Sequence, residues 1–202
     1  MNSVADGSVK LILASASPRR KLLMSAVGLN FEVIESGIDE VRRDGESAVE
    51  FATRMACEKA LNVSARMRDA LVLAADTVVE CDGQILGKPR DAADADTMLH
   101  TLSGNTHTVV TAFAIATAGA IADRQAIVSR VTFRDLLQEE ISTYVATGEP
   151  LDKAGAYGIQ DGGASFIAHV EGSRDNVMGL PMREVLEALR RHGIEPPRQA
   201  SP

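Results

Sequence analysis

The run LILASASPRRKLL (residues 11–23) constrains the fold more than any other stretch, because it sets a buried strand directly against the start of a helix. KLILAS is a short apolar run closed by Ser and Pro, the pattern of a strand covered on both faces. Ser17 then stands as N-cap, and Pro18, with its fixed φ and missing N–H, takes the first helical position. The predicted helix buries Leu22, Leu23 and Ala26 and stops at Gly28. Arg19 and Arg20 sit at its mouth, where the helix dipole already supplies positive charge and cations are mildly unfavourable. Either these are solvated surface arginines, or an anion from outside removes the conflict. Ser15 and Ser17 hydroxyls, free helix N–H groups and two guanidinium forks would converge on a phosphate.

Strand and helix signals keep alternating along the chain. FEVIES reads as a second strand, and residues 47–66 carry the helical period, with Ala52, Met55, Ala56, Ala60 and Val63 on one face. LVLAA and TVVE bracket Asp76, and CDGQ is a turn before IL. A helix over 92–102 follows Asp91 as N-cap. THTVVTAFAIAT and AIVSRVTFR are strands joined near Gly119, and QEEISTYVATG is a helix ending at Gly148. ASFIAHVEG is a late strand, and Pro181 opens the last helix. Strands partly in βα alternation and partly in hairpins predict a mixed α/β fold. One domain over residues 9–194 is expected, with residues 1–8 and 195–202 as loose tails. With 45% hydrophobic but only 3% aromatic residues, its core must be built from Ala, Val, Leu, Ile and Met.

Charge and composition exclude several classes. A formal net charge of −7 lacks the broad basic field that a nucleic-acid polymer or an anionic membrane demands. No run approaches a membrane span, and the first residues lack a signal-peptide pattern. Cys57 and Cys81 are too few for a disulfide scaffold, so a reducing cytoplasm is the expected compartment.

Several charged residues stand where a bland fold would not put them. Lys59 falls on the apolar stripe of its helix, where it either snorkels past the core edge or points into a cavity toward a negative ligand. Asp76 lies inside a run apolar enough to be buried, so its carboxylate must be paired, hydrogen-bonded, metal-bound or protonated. Lys88, in ILGKPRD, precedes a proline and is held extended. Glu40 closes ESGIDE after the second strand. His100, His107 and His169 have no metal-ligand spacing partners, and HExxH, CxxC, GxxxxGK[ST] and GxGxxG are all absent. KAGAYGIQDGG is a Gly-rich loop that either links flexibly or brings its backbone and Gln160 close to a base edge. Arg19, Arg20, Lys59 and Lys88, with Glu40 and Asp76, together suit a polyphosphate bound with a divalent metal.

LASASPRRKLL, GIDE, CEKA, LAADTVV, ILGKPRD, LSGNTHTVVTAF, YVATGEPLDKAGAYGIQ and EGSRDNVMGLP, in this order over about residues 10–190, resemble the Maf (septum-formation-inhibitor-like) nucleotide pyrophosphatases. The resemblance implies an elongated, two-lobed α/β fold with a cleft, related to the inosine triphosphate pyrophosphatases. It implies hydrolysis of a nucleoside triphosphate to the monophosphate and pyrophosphate. Asp76 matches the family's catalytic proton acceptor. Ser15, Arg19 and Arg20 match its phosphate-binding loop. Glu40, Lys59 and Lys88 match positions handling metal or triphosphate, with Mg²⁺ or Mn²⁺ the implied ion at Glu40 and Asp76. Arg19, Thr77 and Gln160 match positions linked to substrate choice, and the intact KAGAYGIQ is similar to the dTTP/UTP branch. A homodimer is implied as well. The competing expectations are a 7-methyl-GTP pyrophosphatase and a division regulator that senses a nucleotide without hydrolysing it.

Overall fold

The computed structural model describes residues 9–197, so the tail expected at 1–8, and residues 198–202 of the one expected at 195–202, lie outside the described residues. Strand β1 (Lys10–Leu13) leads through Ser15 and Ser17 into helix α1 (Pro18–Ala26), as the opening motif predicts. The helix turns its face differently from the expectation. Leu23 and Met24 are buried, whereas Leu22 and Ala26 are exposed, because a helix of nine residues meets the sheet along one narrow line. FEVIES contributes only β2 (Glu32–Val33), which pairs in parallel with the end of β1.

Helix α2 (Ala48–Ser64) begins with a complete capping box: the Ser47 hydroxyl accepts from the Glu50 N–H, and the Glu50 carboxylate accepts from the Ser47 N–H. Its predicted stripe, Ala52, Met55, Ala56, Ala60 and Val63, is buried. Strand β3 (Ala70–Cys81) runs unbroken through Asp76, turns at Asp82–Gly83, and pairs with β4 (Gln84–Leu86). Helix α3 (Ala92–Leu102) follows, with the Asp91 carboxylate accepting from the Asp94 N–H. The long hairpin β5 (Thr106–Thr117) and β6 (Ala120–Phe133) turns at Gly119. Strand β6 starts earlier than AIVSRVTFR, since its polar first half pairs with β5 through backbone bonds that carry no hydrophobic signal.

Helix α4 (Gln138–Ala146) leads into two 3-10 turns, Glu149–Asp152 and Ala154–Ala156. The late strand is split: Gly162–Phe166 is a 3-10 turn, and only β7 (Ile167–Glu171) joins the sheet. Helix α5 (Arg174–Met178) and helix α6 (Met182–Arg191), opened by Pro181, complete the chain.

The strands form one mixed sheet in the order β2-β1-β3-β5-β6-β7, with β4 added to β3. Strand β3 alternates its side chains between two cores. Val72, Ala74 and Val78 face α2, while Leu71, Leu73 and Ala75 face α1 and α6. A third core, at the far end of β3, β5 and β6, packs α3 and α4 around Phe133, Tyr144, Tyr157 and Phe166. These last four carry a chain of edge-to-face ring contacts.

The register places a gap in the sheet. β1 pairs with β3 as far as Leu13–Leu73, and β4 pairs with the same edge only from Val79–Leu86 onward. β5 covers the opposite edge throughout. Between the two partners, the β3 edge around Ala75 to Val78 is open, and the charged residues gather there.

Candidate active site

A cleft of about 900 Å³ fills the gap. Ser15, Arg19 and Arg20 line it from the β1–α1 junction, Glu40 from the loop after β2, Lys59 from α2, Asp76 and Thr77 from β3, and Lys88 from the loop after β4. Leu151 to Lys153 and Tyr157 to Ile159 form part of the opposite wall. The expected convergence is therefore found for every one of these residues except Gln160. That side chain is exposed, one residue beyond the lining Ile159, because the loop turns it outward.

Lys59 decides the electrostatics. Being on the apolar stripe of α2, it is buried against β3, and its ammonium donates to Asp76 Oδ1 and Glu40 Oε1, each at 2.6 Å. Asp76 has the even-numbered parity of Val72 and Ala74, so the strand's alternation itself points it at α2. Burial raises the Asp76 carboxyl above its ordinary range, and Lys59 and Arg20 offset only part of that. Burial would also raise Glu40, but Lys59 and then Lys88 outweigh it, and that carboxyl ends below its usual value. Lys88 remains largely exposed, its Nζ 3.6 Å from Glu40 Oε2.

Thr77, one residue on, faces the other side of the sheet and meets Arg20. The Arg20 guanidinium is almost fully used by neutral acceptors: Nε donates to the Gly179 carbonyl (2.8 Å), Nη1 to the Ala75 carbonyl (2.8 Å) and Ser15 Oγ (3.2 Å), and Nη2 to Thr77 Oγ1 (3.0 Å). The Ala75 carbonyl is free to accept because the β3 edge lacks a strand partner there. The network continues through Thr111 Oγ1, 3.0 Å from Thr77 Oγ1, which donates to the Asn176 carbonyl at 2.8 Å. No carboxylate forms an ion pair with Arg20 among the described residues, so its positive charge stands under the cleft floor uncancelled by direct contact. Burial lowers its pKa, and the fields of Asp76 and Glu40 oppose that. Arg19 instead reaches across the cleft to Asp152, at 3.1 Å.

Sequence reasoning passed over Asp152 and Lys153. Lys153 is buried and lines the cleft, and its ammonium donates to the Glu149 carbonyl and to Asp152 Oδ1. The signal was available, since LDKAGAYG places adjacent opposite charges beside a glycine-rich loop. That loop holds two consecutive left-handed residues, Gly155 (φ +69°) and Ala156 (φ +61°). A Cβ at Gly155 would stand 3.0 Å from both methyls of Val79, so only glycine allows this approach to β3. The Gly155 N–H donates to the Gly87 carbonyl at 3.0 Å, fixing the loop to the segment that carries Lys88. His107, expected to be structural, is buried with Nε2 2.8 Å from the Tyr157 hydroxyl.

Fold and site together define a mixed α/β protein with a cationic cleft built around a buried lysine–carboxylate cluster, suited to an anionic ligand. The chain belongs to the Maf-like protein family, whose sequence model matches residues 10–192. It is 51% identical over 180 residues to a protein of Shigella dysenteriae serotype 1 (strain Sd197), covering 89% of this chain and 91% of that one. It is 48% identical over 186 residues to a protein of Geotalea uraniireducens (strain Rf4), covering 91% and 95%. A protein of Myxococcus xanthus (strain DK1622) is also 48% identical, over 191 residues, covering 95% and 96%. All three relatives are named dTTP/UTP pyrophosphatase. Among solved structures, the Ham1 protein of Staphylococcus aureus superposes with a TM-score of 0.49 at 15% identity, covering 92% of this chain and 100% of that one. No helix among the described residues is long and apolar enough to cross a membrane.

Proposed function

We propose that this chain hydrolyses dTTP and UTP to the nucleoside monophosphate and pyrophosphate. The observation that carries the reading is the single ammonium of Lys59 joining Asp76 to Glu40 at the open edge of β3, with Arg20 beneath and Lys88 at the rim. The names of the relatives supply the substrate class.

The residues derive most of the chemistry. A triphosphate brings several negative charges into a cleft already lined by Arg19, Arg20, Lys59 and Lys88, and those cations stabilise the charge that moves onto the departing pyrophosphate. Asp76 receives the proton of the attacking water. Its raised pKa suits it for that task, since a base near the working pH both stays ionised and holds the proton firmly. Arg20, locked by carbonyl and hydroxyl acceptors, acts as a preorganised charge and costs no reordering when the substrate enters.

Glu40 and Asp76 also fit a divalent ion, Mg²⁺ or Mn²⁺. Their oxygens already aim at one shared cation, the Lys59 ammonium. No group of three or more His, Cys, Asp or Glu that could hold a metal occurs among the described residues. This is the donor set of a hard ion that takes one or two carboxylates and completes its shell with phosphate oxygens and water. When bound, such an ion supplies further neutralisation of the triphosphate.

For the base, a tolerant pocket distinguishes thymine from uracil by only ~1–3 kcal/mol per methyl, so acceptance of both triphosphates is expected. A reducing cytoplasm suits the two free cysteines, and a homodimer follows from the family resemblance. The test is pyrophosphate release from dTTP, UTP, CTP and 7-methyl-GTP, with and without Mg²⁺. Release from dTTP and UTP that requires the ion is expected. A preference for the methylated purine, or tight binding without release, would contradict the reading.

A further inference from the structure

Behind Arg20 stands a buried hydroxyl that the hydrolytic step does not use. Thr111, on β5, is fully buried and does not line the cleft. Its Oγ1 lies 2.8 Å from the Asn176 carbonyl and 3.0 Å from Thr77 Oγ1. Two oxygens this close repel unless a proton lies between them, and a carbonyl has none to give, so the Thr111 proton goes to Asn176. Thr111 therefore accepts the proton of Thr77, and Thr77 Oγ1 accepts from Arg20 Nη2 at 3.0 Å. The chain has one direction, from Arg20 through Thr77 and Thr111 to Asn176, and bonds aligned in this way strengthen one another. Its far end is fixed. The Asn176 side chain is fully buried, and its amide donates to the Val109 carbonyl at 3.1 Å and to Ser129 Oγ at 2.9 Å.

We infer that Thr111 is a positioning residue for phosphate binding: by taking the proton of Thr77 it keeps a Thr77 lone pair toward Arg20 and so fixes the guanidinium under the cleft. The inference rests on the cleft receiving phosphate groups, which is part of the reading above. Without the Thr111 acceptor, the Thr77 hydroxyl is free to turn its proton toward Arg20, where it meets another donor. A guanidinium carries five N–H groups. On Arg20 the Nε–H goes to the Gly179 carbonyl, the two on Nη1 go to Ser15 Oγ and the Ala75 carbonyl, and one on Nη2 goes to Thr77. The remaining N–H, also on Nη2, has no acceptor among the described residues and is the one left for a phosphate oxygen. The nitrogen that meets the phosphate is thus the nitrogen that the hydroxyl chain holds. Thr77 itself has no proton left to give a ligand.

The test reads the motion of Arg20 in the ligand-free full chain, and then the binding of inorganic pyrophosphate with Mg²⁺. In the wild type the two Arg20 Nη groups, identified in ¹⁵N NMR spectra by their absence from Arg20→Lys, should give separate signals, because the guanidinium cannot flip freely about Nε–Cζ. Thr111→Val matches threonine in shape and suits a strand, so it is expected to fold. It should speed the flip by about 3- to 10-fold, and weaken pyrophosphate binding in calorimetry by about the same factor. Thr111→Ser keeps the hydroxyl and should stay close to the wild type in both. Unchanged binding in Thr111→Val, weaker binding with the flip rate unchanged, or a Thr111→Ser that behaves like Thr111→Val would overturn the inference. So would a single averaged Nη signal in the wild type, whatever the variants do. Pyrophosphate release from dTTP by the wild type, measured alongside, judges the hydrolytic reading separately. Binding without release removes hydrolysis and leaves the role of Thr111, whereas a wild type that does not bind pyrophosphate removes both.

Discussion

The ammonium of Lys59 and the carboxylate of Asp76 meet at 2.6 Å with both side chains 8% exposed, an ion pair between the middle of a helix and the middle of a strand. Neither group could be sequestered alone, since a lone buried charge costs far more than its neighbours return. The pair also explains why a lysine occupies the apolar stripe of α2.

Removing one member should expose that dependence. Lys59→Met keeps the volume of the aliphatic stem but leaves Asp76 buried beside no cation of its own. A loss of about 3 kcal/mol is expected, or roughly 6–12 °C in melting temperature for a chain of this size. Combining Lys59→Met with Asp76→Asn should recover part of the loss. Thermal unfolding of the two variants and the wild type checks both statements; an unchanged midpoint for Lys59→Met would mean that the pair contributes nothing to the fold.

Asp76→Asn keeps the shape of the side chain and its contact with Lys59 but cannot take a proton. Turnover of dTTP should fall by about 10²-fold or more while the protein stays folded. Steady-state pyrophosphate release checks this, and near-normal turnover would remove Asp76 from the chemistry.

His107 gives the stability a predictable acid limb. Burial pushes its imidazole down from 6.5 to about 4. The unfolded chain therefore takes up a proton between these values that the folded chain refuses. Stability present above pH 6.5 is lost as the pH falls toward 4, by at most about 3 kcal/mol from this residue. Urea midpoints measured from about pH 7 to about pH 4.5 should fall less steeply for His107→Gln than for the wild type. Parallel curves would show that His107 is not buried neutral.

Much of this architecture can be read from the chain, and the exceptions have physical causes. Helix α3 and strand β5 begin and end where the sequence predicts, because Asp91 caps one and a glycine stands on either side of the other. Lys59 and Asp76 announce themselves as charges in apolar patterns, which only tertiary pairing resolves. FEVIES has a strand's composition yet yields two paired residues, since β2 lies at the sheet edge and only the end of β1 is beside it. The exposure of Leu22 and Ala26 depends on how α1 is tilted, and no periodicity encodes tilt. Arg19–Asp152 spans 133 positions, and Arg20–Gly179 spans 159. Such contacts follow from packing on the sheet face, where Leu180, Met182 and Val185 share a core with Leu11, Leu13 and Leu23, and packing of distant segments leaves no local trace. Gln160 is exposed, and the direction of a loop side chain follows no periodicity that a sequence could show.

The central claim is cleavage between the α and β phosphorus atoms at the open edge of β3. Its most direct measurement is the product pair formed from dTTP with Mg²⁺, separated by anion-exchange chromatography. Equal amounts of dTMP and pyrophosphate are predicted. Formation of dTDP and inorganic phosphate would contradict the account.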